Sequence, residues 1–265
     1  MPTPIELLLD PISLAVFALY GGLMLWEALA PGRPLPEVAG WKWRGLAAFG
    51  VFFFLSSYLP LLWTEWLVQY QLADLSVLGT WGGALVGLLV IEAGIYTWHR
   101  SMHASPVLWR TFHQMHHSSE RLDSCSAFWF SPLDMVGWTV LSSLCLTLLV
   151  GITAEAATIV LLATTFMSIF QHSNIRTPRW LGYIVQRPES HSRHHQRGVH
   201  AGNYADLPLY DMLFGTFHNP RDFVPATGFY EGASARVIDM LCFRDVSAAQ
   251  PPVSAAGELE GFVAR

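Results

Sequence analysis

Five apolar runs leave this chain little choice of fold. They lie at about 12–30, 46–63, 77–98, 133–150 and 156–170, and inside hydrocarbon only a helix satisfies every backbone N–H and C=O within its own segment. Hydrophobic residues make up 52% of the 265 positions and charged residues 13%, about half the usual charged share of a soluble domain. The expected fold class is therefore all-α: an integral membrane bundle of four to five spans with a cytoplasmic helical cap, forming a single domain over 1–265. The last two runs are shorter, and the "GITAE" turn between them fits either a full hairpin or a shallower re-entrant pair. The N-terminus lacks a basic stretch and carries Glu6 and Asp10, which argues against a signal peptide. Residues 246–265 are small, polar and Pro-containing, a composition expected to be disordered.

The basic residues set an expected orientation. They fall in three groups: Arg33, Lys42 and Arg44; then Arg100, Arg110 and Arg121; then nine arginines from Arg176 to Arg265. The N-terminus, the 64–76 loop and the 151–154 turn have none. The positive-inside rule makes the three basic segments cytoplasmic and the N-terminus external. A net charge of −5 implies no general affinity for nucleic acid. Cys125, Cys145 and Cys242 form no C-x-x-C pair, so neither a disulfide framework nor a cysteine-held cluster is expected.

All eleven histidines lie in, or at the membrane edge of, the basic segments, in the regions 99–132 and 171–245. "HRSMH" sets His99 and His103 four apart, on one face of a helix leaving the membrane. "HQMHH" and "HSRHH" repeat one spacing, so that His113, His116 and His117, and then His191, His194 and His195, each share a face. Ser105 with Pro106, and Pro188, provide the helix starts. Eight imidazoles exceed what one metal uses, which points to two metals held between helices. His172, at the end of the fifth run, has the depth to join them.

Other positions carry weaker signals. Glu92 lies two helical turns below His99, placed either to hydrogen-bond a ligand histidine from beneath or to pack between helices. Asp134 is expected to cap the fourth run. His200 reads as a partner standing behind the ligands or as a structural residue, and His218 as a turn residue. Trp98, Trp109, Trp129, Phe130 and Trp138 match an interfacial aromatic belt.

The three boxes, with "HHSSERLD", "QHSNI" and "NYADLPLYDMLFGTF" beside them, resemble the fatty acid hydroxylase/sterol desaturase superfamily over about residues 80–225. The resemblance implies a non-haem centre of two iron ions that uses O2 to hydroxylate or desaturate a C–H bond of a bilayer lipid. His99, His103, His113, His116, His117, His191, His194 and His195 would be the ligands, with His172 the ninth. Zinc is a possible substituting metal. No flavin fingerprint or cytochrome b5-like module occurs in the sequence, so electrons would come from a separate ferredoxin or b5-type donor. The expected location is a bacterial inner membrane, with the metal site on the cytoplasmic side. One departure stands out: bacterial members typically read Arg-x-His-Pro where this chain has Trp129 and Ser131 in "WFSP".

Two rivals fit less well. A membrane zinc-dependent lipid hydrolase needs three ligands and an open water position, and no H-E-x-x-H helix supplies its base. A non-catalytic metal-binding or transport protein would hold ligands near the bilayer centre.

Overall fold

The computed structural model describes residues 1–248. Among them the secondary structure is helical, apart from one isolated antiparallel bridge between Gln196 and Thr227. Five helices are long and apolar enough to cross a membrane: α1 (Pro11–Leu29), α2 (Trp41–Gln69), α3 (Ser76–Ala104), α4 (Pro132–Leu149) and α5 (Ala154–His172). At 18 and 19 residues α4 and α5 each have the length of a full crossing, so a hairpin of two spans fits better than a shallow pair. Short helices follow, chief among them α6 (Pro188–His194).

Local chemistry explains the ends. Asp10 caps α1, its Oδ1 accepting from the Ile12 N–H at 2.8 Å, and Pro11 follows at the first turn. Ser131 caps α4 and Thr153 caps α5 in the same way. Pro60 lacks an N–H and marks the junction of two helical segments within α2. The last turn of α4, Leu144–Leu149, widens to a π-helical turn.

Small residues let α3 approach α5. A Cβ on Gly83 would lie 3.1 Å from the Ala156 Cβ, and one on Gly87 would lie 2.7 Å from the Ile152 Cδ1, the close backbone approach that membrane helices favour. Around this contact Ala84, Ile91, Cys145, Leu146, Ala156 and Val160 form one buried cluster.

The first two helices are tied to the histidine end of the bundle. Glu27, in the last turns of α1, accepts from the Ser124 N–H at 2.9 Å and from the Asn174 N–H at 2.8 Å. Trp41 Nε1 donates to Asp123 Oδ1 at 2.8 Å. Gly45 seats α2 against the 124–126 turn, where an added Cβ would stand 2.5 Å from the Cys125 carbonyl oxygen. Packing continues to the end of the described chain. Val246, placed by the sequence in the polar tail, is buried, and its N–H reaches Gln114 Oε1 at 3.2 Å. Residues 249–265 of the expected disordered tail lie outside the described residues.

Gly45→Ala should destabilise the protein in detergent by about 1–3 kcal/mol, because backbone rather than a side-chain tip must give way. Gly50→Ala, with nothing within 4 Å of its new Cβ, should be neutral or stabilising by up to about 1 kcal/mol. Thermal midpoints of the pair measure the difference; equal shifts would contradict this packing.

Candidate metal centre

The end of α3 supplies His99 and His103, one turn apart. Residues 106–117 begin as a helix capped by the Ser105 hydroxyl, widen into a π-helical turn at Trp109–His113, and close as Gln114–His117. The end of α5 supplies His172, and α6 with its C-cap supplies His191, His194 and His195. These nine imidazoles form two groups. One holds His99, His103, His113, His117 and His194; the other holds His116, His172, His191 and His195. Within each group one nitrogen per ring lies within 4.8 Å of all the others. The second and third boxes each contribute to both groups. His103 is half-buried and the other eight are buried.

The outward nitrogens are mostly occupied. Nδ1 of His99 meets the Tyr204 carbonyl at 2.7 Å, that of His194 the Gly202 carbonyl at 2.6 Å, and that of His172 the Ser168 carbonyl at 2.6 Å. His113 Nδ1 meets Asp134 Oδ2 at 3.0 Å. Each partner is an acceptor, so Nδ1 carries the proton in all four rings and Nε2 keeps a lone pair. Yet His99 Nε2 and His113 Nε2 stand 2.9 Å apart, and His172 Nε2 lies 3.0 Å from His191 Nε2 and 3.1 Å from His116 Nε2. Between His99 and His113 two lone pairs face one another with no hydrogen between them. A cation resolves that arrangement, and neutral imidazole nitrogen suits a transition metal. His103 Nε2 is also buried without a hydrogen-bond partner among the described residues. The nine residues fit a pair of metal ions.

A shared proton is a poor substitute. Burial first, and then the neighbouring imidazoles, hold His113, His116, His117, His191, His194 and His195 well below the usual histidine range. The rings stay neutral and ready to bind metal at neutral pH.

The residues around the ligands differ from expectation in instructive ways. Asp134, expected to cap α4, does not: Ser131 caps the helix and takes the Asp134 N–H, while the Asp134 carboxylate anchors His113, the carboxylate–histidine arrangement that fixes a ring's tautomer. Glu92 is buried but reaches no histidine. Its Oε2 accepts from the Leu207 N–H at 2.9 Å, which secures the loop whose Tyr204 carbonyl holds His99. His200 lies behind His117, their Nδ1 atoms 3.0 Å apart, and burial draws it down to about 4. Its φ of +43° shows how tightly that loop turns. His218 stays out of both groups, its backbone N–H given to Asn203 Oδ1.

The two departures have local structural roles. Ser131 Oγ donates to the Phe112 carbonyl at 3.1 Å and accepts from the Asp134 N–H at 3.2 Å, linking the second box to the start of α4. Trp129 packs on Trp41, with ring centroids 5.4 Å apart, and its Nε1 donates to Ser118. A buried Arg187–Glu189 ion pair at 3.0 Å stands at the start of α6, with the guanidinium also held by Thr177, Asn219 and the Pro220 carbonyl.

The histidines open onto a cavity of about 410 Å3 between the spans. His99, His113, His116, His172 and His191 form one end, beside Phe130, Trp138, Gln171 and Asp206. Ile95 and Ile91 lie about one and two helical turns from His99, and Leu161 about three turns from His172; Phe49, Phe52, Leu146, Ile12, Ser13 and Ser57 also line the cavity.

Fold and site together define a membrane protein, helical over the described residues, with two histidine groups that could hold metal at the mouth of an apolar cavity. The chain belongs to the fatty acid hydroxylase family, whose sequence profile matches residues 84–216. It is similar to the ornithine lipid hydroxylase OlsE of Rhizobium tropici, 35% identical over 141 residues, covering 51% of this chain and 42% of that protein. It is also similar to human alkylglycerol monooxygenase, 31% identical over 142 residues, covering 52% of this chain and 30% of that protein. The matched segment spans less than half the length of either relative. No solved structure matches the chain.

Two outcomes follow from this geometry. Asp134→Asn, which keeps the shape but removes the anion, should weaken metal retention about 10–100-fold, read by chelator competition. An unchanged affinity would contradict the role given to Asp134. The folded-state histidines titrate below their unfolded value of 6.5, so unfolding takes up protons as pH falls. Metal-free protein should therefore keep its full histidine contribution above about pH 6.5 and lose stability progressively below it. A thermal midpoint that stays flat from pH 7 to pH 5 would contradict this.

Proposed function

We propose that the protein is an O2-dependent membrane oxygenase with two iron ions, which hydroxylates or desaturates a C–H bond of a lipid held between its spans. The observation that carries this reading is the junction of the two imidazole groups with an apolar cavity inside the bundle. A metal centre for hydrolysis needs water at the reacting bond, whereas this one faces Phe130 and Trp138. Family membership and the names of the two relatives support the same class.

Two irons bound by these ligands would supply O2 activation, with imidazole tolerating both oxidation states. In hydroxylation one oxygen atom enters the C–H bond and the other leaves as water, which takes up two electrons and two protons. The reading assigns the electrons to a separate carrier of ferredoxin or b5 type. The chain's own residues do the rest. Nine histidines ligate, Asp134 and the Tyr204, Ser168 and Gly202 carbonyls fix ring orientation, and the aromatic wall holds the chain and excludes water. The positive-inside pattern supports a cytoplasmic metal site and an external N-terminus in a bacterial inner membrane.

The test is lipid mass spectrometry of cells making the protein, against cells making the His116→Ala, His194→Ala double variant. This variant removes one ligand from each group. An O2-dependent gain of one oxygen, or loss of two hydrogens, should appear and fall more than about 100-fold in the variant, since even residues behind the ligands cost 10–100-fold. Lipid cleavage without O2 would overturn the reading in favour of a zinc hydrolase.

A further inference from the structure

The cavity is long as well as apolar. Ala157, Leu161, Thr164, Ser168 and His172 all line it, along one side of α5. From Ala157 to His172 a helix rises about 22 Å, so the cavity runs from the histidines through most of the hydrocarbon thickness.

Its polarity is uneven. At the histidine end Asp206, its one lining carboxylate, is buried and accepts from Gln171 Nε2 at 2.7 Å. At the other end the polar groups are hydroxyls. Ser57 Oγ donates to the Phe53 carbonyl at 2.7 Å and Thr64 Oγ1 to the Pro60 carbonyl at 2.7 Å. With those protons given to their own helix, the far end presents a mostly apolar wall.

Resting on the oxygenase reading, we propose that the cavity gauges the chain length of its substrate. A single extended lipid chain lies with its polar end at Gln171 and Asp206 and its tail directed towards Ser13, Ser57 and Leu161. Oxidation then falls within the first few carbons of the polar end. The chain length accepted is set by α1 and α2, which lie outside the matched segment 84–216. An extended chain advances about 1.2 Å per bond, so about 22 Å accommodates roughly 18 bonds. The histidines would thus choose the reaction and the first two helices the substrate.

The test uses full-length protein in detergent and two photoactivatable probes. Both are N-(2-hydroxyethyl)hexadecanamide, with a diazirine at carbon 15 in one and at carbon 3 in the other. The carbon-15 probe should label peptides holding Ser13, Ser57 or Leu161. The carbon-3 probe should label those holding Phe130, Trp138 or Gln171, and unlabelled amide should compete with both. Ser57→Phe and Ser13→Phe should each weaken the 16-carbon probe at least 10-fold relative to a 12-carbon analogue. Reversed labelling would overturn the orientation, and labelling without competition would overturn the cavity as a lipid site. Unchanged length preference in both variants would overturn the gauge. Labelling requires no turnover, so the two ideas can fail separately. The expected labelling without any O2-dependent product sinks the oxygenase reading, whereas product with scattered labelling sinks the gauge.

Discussion

The buried lone pairs of His99 and His113, turned towards one another, are the constraint on which this structure depends. Holding one imidazole nitrogen leaves the other free for a metal, and four of the nine rings are held this way, by the Tyr204, Gly202 and Ser168 carbonyls and the Asp134 carboxylate. Each holder in turn has to be fixed. Glu92 fixes the loop containing Tyr204, and Ser131 fixes the turn containing Asp134. Much of the polar network at this end of the bundle serves to hold His99, His113, His172 and His194 with Nε2 free and aimed inward.

That requirement fits the way Glu27 and Trp41 join the first two spans to the histidine end, and the way a buried ion pair stiffens the cap itself. An Arg187–Glu189 pair inside protein costs desolvation and contributes little net stability. It stands at the start of α6, which with its C-cap carries three of the histidines. Glu27 works similarly from α1, clamping the segments after the second box and before the third. The apolar helices and the polar cap are thereby one mechanical unit, with the cavity walls on one side and the ligands on the other.

Much of this was legible in the sequence, because hydropathy and histidine spacing are periodic signals. The five spans follow from apolar runs, and the pairing of His113 with His117 and of His191 with His195 follows from helical repeat. The division into groups of five and four was not legible. It depends on a π-helical turn at Trp109–His113 and on how α6 packs on α5, and neither has a sequence signature. Asp134 read as a cap because its helix start is textually obvious while its contact with His113 spans 21 positions. Glu92 has the right period to face His99, but the loop at Leu207 takes its carboxylate first. Val246 looked like tail because local composition cannot reveal a distant partner such as Gln114.

The central claim is that two separate metal ions sit in the two imidazole groups. Anomalous diffraction at the iron absorption edge, on crystals of protein made with iron, tests it most directly. The account predicts two peaks, one ringed by His99, His103, His113, His117 and His194, the other by His116, His172, His191 and His195. A single peak shared between the groups, or none with the rings in the same positions, would contradict it.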